Sequence, residues 1–434
     1  MPPGPTALPV ALARLVPWPE DGSRANGPVA VDATDRLLLH EVQPWLERVL
    51  AVGHPARPPA VVIGDRFGAL TVGLGVLGVP ALRVHTDAVT AESAIRHNLG
   101  AGHGAPATYE RVAVEIVAAL TPDLVRDARL VLLQLPRSLG ELQEIAELVA
   151  REAADDVVLL AGGRVKHMTP AMNEVLAAAF REVRATLARG KSRALVASRP
   201  RPEARQAAPS FPAAAVLHDA ELLAATGRPG QRGVAVVDPS GVTGRTTLRG
   251  IAVVAHGGVF AGATLDLGTR SLLRTVDGWP TPSSAVDLGC GTGLLATVLA
   301  LRSTGTHVVA TDRSAAAVAS ARATAVANGV GDRVTTLRSD AGAGIEDASV
   351  DLVLCNPPFH DRAAVTTDAA HRMFATAARI LRPGGELWCV YNSVLRYRPA
   401  LERTVGPTTQ AARDTRFTVT RSVRREHANA LPRP

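Results

Sequence analysis

Two glycine-bearing turns recur in this chain at a fixed separation, and no other feature narrows the possible architecture as much. Gly64 and Gly289 stand 225 positions apart (289 − 64), Gly68 and Gly293 keep that offset, and Thr86-Asp87 keeps it with Thr311-Asp312. Further on, Gln134-Leu-Pro136 falls against Asn356-Pro-Pro358 at 222 (356 − 134). Agreement at three separate strand ends is the mark of a duplicated domain. Each copy alternates short apolar runs with helical patterns: 60–63, 81–86, 130–135 and 157–160 in the first, and 284–288, 307–311, 334–339, 351–355 and 386–391 in the second. That alternation predicts an α/β chain of two tandem Rossmann-like domains, each built on a parallel, doubly wound sheet. Residues 417–423 read as a late edge strand.

The join between the copies is marked by composition. Residues 181–205 carry Arg181, Arg184, Arg189, Lys191, Arg193, Arg199, Arg201 and Arg205 against Glu182 and Glu203, and prolines follow, so the segment reads as a linker or domain edge. Residues 234–237 and 246–254, separated by Asp238-Pro-Ser-Gly241, read as a hairpin. The expected organisation is therefore a first domain at 1–205, a linker with hairpin at 206–255, and a second domain at 256–434. Basic residues number 47 against 40 acidic, and the only lysines are Lys166 and Lys191. Arginine suits phosphate and base-edge contacts, although a GC-rich genome produces the same bias. Arg184, Arg189, Lys191 and Arg193 are the candidate RNA contacts. Cys290, Cys355 and Cys389 are an odd set without metal-site spacing, which predicts a cytoplasmic chain with neither disulfide nor metal. No span is long and apolar enough for a membrane anchor.

The chemistry falls in the second copy. Asp287-Leu-Gly289-Cys-Gly291-Thr-Gly293 joins a strand to a helix, a turn that lets backbone close on a ligand at a helix N-terminus. It lacks the longer Gly-x-x-Gly step of the dinucleotide fingerprint, which disfavours a nicotinamide enzyme. Asp312, one strand–helix unit later, is placed to accept ribose hydroxyls, and Asp340, at the third strand end, to accept an adenine amine. At the fourth strand end, Asn356-Pro357-Pro358-Phe359 forms a proline-locked turn. An amide oxygen beside a carbonyl can accept both hydrogens of a flat exocyclic amine, and Phe359 offers a face to stack on it. In the first copy Arg66 replaces Gly291 and Gln134 replaces Asn356, so that copy reads as a non-catalytic scaffold.

These residues resemble the class I S-adenosylmethionine-dependent methyltransferases, and more closely the ribosomal RNA guanine-N2 methyltransferases of the RlmG and RsmC type. The likeness rests on Gly257-Gly-Val-Phe260, Leu265-Asp266-Leu-Gly268-Thr269-Arg270, the triple-glycine turn, Leu354-Cys-Asn-Pro-Pro-Phe-His360, Gly384-Gly-Glu-Leu387 and Arg416-Phe-Thr-Val419. It extends to Asp65-Arg-Phe-Gly-Ala-Leu70 and Leu133-Gln-Leu-Pro136 in the first copy. It implies a degenerate first methyltransferase domain followed by an active one, with S-adenosylmethionine as cofactor and ribosomal RNA as partner. Carried over by position, it implies that Gly289, Gly291 and Gly293, with Asp287 below them, cradle the methionine part of the cofactor. Thr269 would take its carboxylate, Asp312 with Arg313 its ribose, and Asp340 with Ala341 its adenine. Asn356 and the Pro357 carbonyl would orient guanine N2, and Phe359 would stack on the base. Ala261 departs from the family's usual Ser. Methylation of adenine N6 or of a protein glutamine, and an RNA-binding assembly factor without activity, are the competing readings; a monomer is expected.

Overall fold

The computed structural model describes residues 7–18, 27–46, 60–100, 112–227, 250–358 and 365–425, with the side chains of 365–368 left aside. The chain divides into two compact units, Met1–Phe211 and Pro212–Pro434. The strands of the first are β1 (Ala60–Ile63), β2 (Ala81–His85), β3 (Ala113–Val117), β4 (Leu130–Gln134), β5 (Val158–Arg164), β6 (Phe180–Ala185) and β7 (Ser192–Pro200). The second contains β8 (Ala213–Leu217), β9 (Ile251–Ala255), β10 (Ser284–Leu288), β11 (His307–Asp312), β12 (Val334–Arg338), β13 (Val350–Cys355), β14 (Leu381–Asn392), β15 (Thr408–Arg413) and β16 (Phe417–Val423).

The two large sheets have one topology. Their strand orders are β3-β2-β1-β4-β5-β7-β6 and β12-β11-β10-β13-β14-β16-β15. Five strands in each run parallel, and the last two are antiparallel, so both sheets are mixed. The order reverses between β1 and β4, and between β10 and β13, which opens a crevice at the carboxyl ends of those strands. Sheet register sharpens the repeat. Ile63 faces Leu133 and Leu288 faces Cys355, so Gln134 and Asn356 are equivalent at the offset of 222 read from sequence (355 − 133). On the other flank Ile63 faces His85 and Leu288 faces Thr311, an offset of 226 (311 − 85). Thr86, and not Asp87, is therefore the counterpart of Asp312: one residue has slipped between the copies.

Three elements differ from the sequence reading. The basic segment is no linker: β6 and β7 form an antiparallel hairpin that completes the first sheet. Phe180 and the run Ala194, Leu195, Val196 and Ala197 are buried, so β7 is covered on both faces, and the arginines around that run hide it from a charge count. The strand at 417–423 is interior, because β15 covers it as the edge. Of the expected hairpin at 234–237 and 246–254, the first arm lies outside the described residues; β9 pairs instead with β8.

The far edge of β9 is satisfied in an unusual way. Ser320, Thr324 and Asn328, four residues apart along or at the end of the helix Ala315–Ala327, all face it. The Asn328 amide oxygen, Thr324 Oγ1 and Ser320 Oγ accept from the N–H groups of Ala252, Val254 and His256 at 3.0–3.1 Å. A polar stripe at helical spacing thus replaces a neighbouring strand, since buried backbone donors need partners. It also anchors the start of the loop that leads to Asp266.

The helix Leu294–Arg302 begins at Gly293, whose φ is +72°. A Cβ there would lie 2.6 Å from Ala321 Cβ, closer than real carbons approach. The equivalent Gly68 has φ +91° but its nearest neighbour would be Ile95 Cα at 3.7 Å. Gly293→Ala should therefore cost about 2–4 kcal/mol, through left-handed strain plus overpacking, and Gly68→Ala only about 1–2 kcal/mol. Urea unfolding of the two variants checks this, and equal losses would refute the packing part.

Candidate active site

The triple-glycine turn is held from below and from one side. Gly289 and Cys290 both donate their N–H to the Thr311 carbonyl, at 2.8 and 3.0 Å. Asp312 binds the turn through one oxygen, accepting from Gly291 N–H at 3.2 Å, and fixes the next helix through the other, accepting from Ser314 N–H at 3.0 Å. Asp287 lies under the helix start, where Oδ2 accepts from Ala296 N–H at 3.1 Å and Oδ1 is buried without a partner. Burial, with the Asp312 charge adding to it, pushes the Asp287 carboxyl up to about 7. A Cβ on Gly291 would meet nothing within 4 Å, so open space stands over the middle of the turn. A turn of exposed backbone beside an acid at the neighbouring strand end suits the aminoacyl and ribose parts of a nucleoside cofactor. The residues fit S-adenosylmethionine.

Arg313 is exposed next to Asp312. Asp340 follows β12, with its carboxylate 3.9 Å from Arg372 and its carbonyl accepting from Ala343 N–H. Ala341 sits at φ +48°, in a turn that Arg379 steadies by donating to the Gly342 carbonyl.

Across the crevice stands Asn356, the residue after β13. Its Nδ2 donates to Asp266 Oδ1 at 3.2 Å and to Thr269 Oγ1 at 3.1 Å. Its Oδ1 is buried and has no partner among the described residues. Asp266 and Thr269 belong to the helix Leu267–Leu273, which Asp266 caps by accepting from the N–H groups of Gly268 and Thr269 at 2.9 and 3.1 Å. Thr269 spends an acceptor lone pair on Asn356 and keeps its hydroxyl proton to donate. Pro357 is buried and Pro358 exposed. Phe359 and His360 lie outside the described residues. The motifs by themselves give Asp266 no role, although an Asp just ahead of a Gly-Thr helix start is a recognisable cap signal.

The first unit repeats this plan with other residues. Asp35, in the first turn of the helix Ala33–Glu41, receives the Gln134 side-chain amide much as Asp266 receives Asn356. Burial and the charge of Asp65 push Asp35 up to about 8. Arg66 does not fill the turn: it is exposed, with its guanidinium 4.9 Å from the centre of the Phe67 ring. Asp65 is fully buried, and its carboxylate accepts from Gly68 N–H, Thr71 N–H and Thr71 Oγ1 at 2.9, 2.8 and 2.7 Å. It serves the helix start as Asp287 does in the second unit, where the equivalent N–H of Ala296 goes to Asp287. Thr86 stands where the second unit has Asp312, so a hydroxyl replaces the carboxylate there. The Cβ and carbonyl oxygen of Gln134 lie 3.3 Å from where a Cβ on Gly64 would stand, against 4.0 Å for the Asn356 carbonyl oxygen at Gly289.

The basic residues divide in two. Arg199 pairs with Glu182, Arg205 with Asp155, and Arg201 donates to the Ala177 carbonyl. Arg184, Arg189 and Lys191 are exposed on the β6–β7 hairpin, and Arg193 is half-buried. Among the described residues no helix is long and apolar enough to cross a membrane, and no group of three or more His, Cys, Asp or Glu is set to hold a metal.

Known proteins share this layout. A family model described as the methyltransferase small domain matches residues 250–421, and one described as the RLMG N-terminal domain matches 11–202. Ribosomal RNA large subunit methyltransferase G of Streptomyces avermitilis is 33% identical over 415 residues, covering 96% of this chain and 97% of that protein. The chain belongs to the ribosomal RNA large subunit methyltransferase G family. Members from Streptomyces coelicolor and Pseudomonas aeruginosa are 34% and 31% identical, each over 95% of this chain. Among solved structures, the T. thermophilus 16S rRNA N2 methyltransferase RsmC in complex with AdoMet and guanosine superposes with a TM-score of 0.65, over 96% of this chain and 99% of that one. At 21% identity that likeness is one of fold. The two family models fall on the two halves of the repeat.

The raised Asp287 carboxyl gives a pH test. Its folded value of about 7 lies above the ordinary 3.8, so its contribution is fully present below about pH 4 and is lost as pH rises through about 7. Asp287→Asn removes that loss. Relative to the wild type, the variant should gain about 2–3 kcal/mol in urea unfolding between pH 5 and pH 8. A difference that stays constant with pH would refute a shifted Asp287.

Proposed function

We propose that this chain transfers the methyl group of S-adenosylmethionine to the exocyclic N2 amine of a guanine in ribosomal RNA of the large subunit, and that Asn356 receives that amine. One observation carries the residue assignment: the Asn356 amide is tied down through its nitrogen and presents a buried, unpartnered oxygen at the switch-point crevice. That oxygen needs a donor, and a purine amine supplies one. Guanine N2 donates one N–H to Asn356 Oδ1 and the other to the Pro357 carbonyl, which leaves the nitrogen lone pair aimed across the crevice toward the glycine turn.

Gly289, Gly291 and Gly293 cradle the aminoacyl end of the cofactor, Thr269 donates to its carboxylate, Asp312 and Arg313 hold the ribose, and Asp340 with Ala341 the adenine. When bound, S-adenosylmethionine supplies a sulfonium methyl group as the electrophile. The chain's residues contribute orientation, which can lower such a barrier by about 7–11 kcal/mol. No residue is required as a base, because the amine sheds its proton after transfer. The guanine leaves its stack at a cost of a few kcal/mol, and Phe359 stacking returns about 1–3 kcal/mol. The first unit, with Thr86 in place of Asp312 and Arg66 in place of Gly291, serves as a scaffold, and Arg184, Arg189, Lys191 and Arg193 contact the RNA backbone. The protein acts as a monomer in the cytoplasm, without a metal.

Asn356→Ala should lower methyl transfer to large-subunit RNA by at least about 100-fold while cofactor affinity is kept, read by tritiated-methyl transfer and calorimetric titration. Ordinary activity in that variant would sink the assignment. Arg184→Ala with Lys191→Ala should reduce the slope of log K against log salt by about 1.4–1.8, because each phosphate left without its cation removes about 0.7–0.9. An unchanged slope would return the hairpin to plain solvent-facing surface.

A further inference from the structure

We propose that Asp266 is the residue that makes this site select an amine: it sets which end of the Asn356 amide faces the substrate. The proposal rests on the guanine-N2 reading above. A primary amide is nearly symmetric in shape, so packing alone does not tell its oxygen from its nitrogen. Neighbouring chemistry decides. Thr269 Oγ1, 3.1 Å away, is indifferent, because a hydroxyl either donates or accepts. Asp266 Oδ1, at 3.2 Å, only accepts, so it must face the NH2 end. The oxygen is thereby left as the open end of the amide, buried and without a partner among the described residues. Were the amide reversed, the site would present a donor to the guanine amine, and donor would face donor.

Two further observations point the same way. The amide lies against the helix start because position 268 carries no side chain: a Cβ there would sit 3.0 Å from Asn356 Oδ1 and 3.1 Å from Nδ2. The first unit keeps the same pairing, with the Gln134 amide nitrogen donating to the Asp35 carboxylate in the first turn of the equivalent helix. A carboxylate at the helix start reading a strand-end amide is thus a feature of the duplicated plan. Asp266 touches neither substrate nor cofactor in this arrangement; it acts through Asn356.

The test separates this role from helix capping. The oxygen that takes the Asn356 amide is the same Asp266 Oδ1 that caps Gly268 and Thr269, so an Asn at 266 that kept the cap would keep the acceptor as well. Ser also caps a helix start, through a hydroxyl that either donates or accepts, so Asp266→Ser keeps the helix while removing the obligate acceptor. Its kcat should fall by about 10- to 100-fold, with the KM for S-adenosylmethionine and the unfolding midpoint unchanged. Asn356→Asp alone sets two carboxylates against each other and should be inactive. The exchange Asp266→Ser with Asn356→Asp sets a hydroxyl donor against the new carboxylate and leaves an acceptor oxygen for the substrate. It should exceed Asn356→Asp by at least about 10-fold, a rescue that a purely structural role does not provide. A wild-type kcat in Asp266→Ser, or a folded double variant no more active than Asn356→Asp, would overturn the proposal while leaving the guanine-N2 reading intact. A wild-type chain that transfers no methyl group to guanine N2 would overturn both.

Discussion

A side-chain amide has two chemically opposite ends, and the contact between Asn356 and Asp266 determines which one this crevice shows. The rest of the second unit serves that contact. The reversal of strand order between β10 and β13 opens the crevice. Pro357 and Pro358 stiffen the corner on which Asn356 stands. The helix capped by Asp266 brings the carboxylate within 3.2 Å of the amide, and the loop before that helix is tied at its start by the Ser320, Thr324 and Asn328 stripe against β9 and His256.

The two units show how a site is lost while its fold is kept. Strand order and the backbone of the glycine turn persist, with φ of +80° at both Gly64 and Gly289. What changes is the use of a few polar groups. Where the second unit has Asp312, the first has Thr86, so the carboxylate beside the turn becomes a hydroxyl. Where the second has Asn356, the first has Gln134, whose amide nitrogen is held by Asp35. The helix start is satisfied in both, by Asp287 at the Ala296 N–H and by Asp65 at the equivalent Thr71 N–H. Asp35 and Asp65 are both buried and titrate above the ordinary carboxylate range.

The residue pattern misleads where charge masks periodicity. The arginines around β6 and β7 give 181–205 the look of a linker, yet the run Ala194, Leu195, Val196 and Ala197 is buried on both faces, as an interior strand of a covered sheet requires. The edge strand β15 and the pairing of β8 with β9 are not visible in the sequence, because strand neighbours are set by long-range packing and local composition carries little of that information. Arg66 is the obvious departure from a glycine, yet it is exposed, whereas Asp65 is the residue that bonds the helix start.

Glycine spacing, the proline-locked Asn356 corner and the fixed offset between copies were enough to establish two Rossmann-like domains and their family, and they name the residues at which the chemistry is proposed. These are local signals: a backbone at positive φ or a ring-locked turn demands particular residue types wherever it occurs. Only the folded chain decided which end of the Asn356 amide is left for a substrate, which aspartate holds it, and which aspartate serves the helix start in the first unit. Each of those depends on groups brought together by folding, 90 positions apart in sequence in the case of Asp266 and Asn356. Hydrogen bonds act over about 3 Å of space whatever the length of chain between the partners.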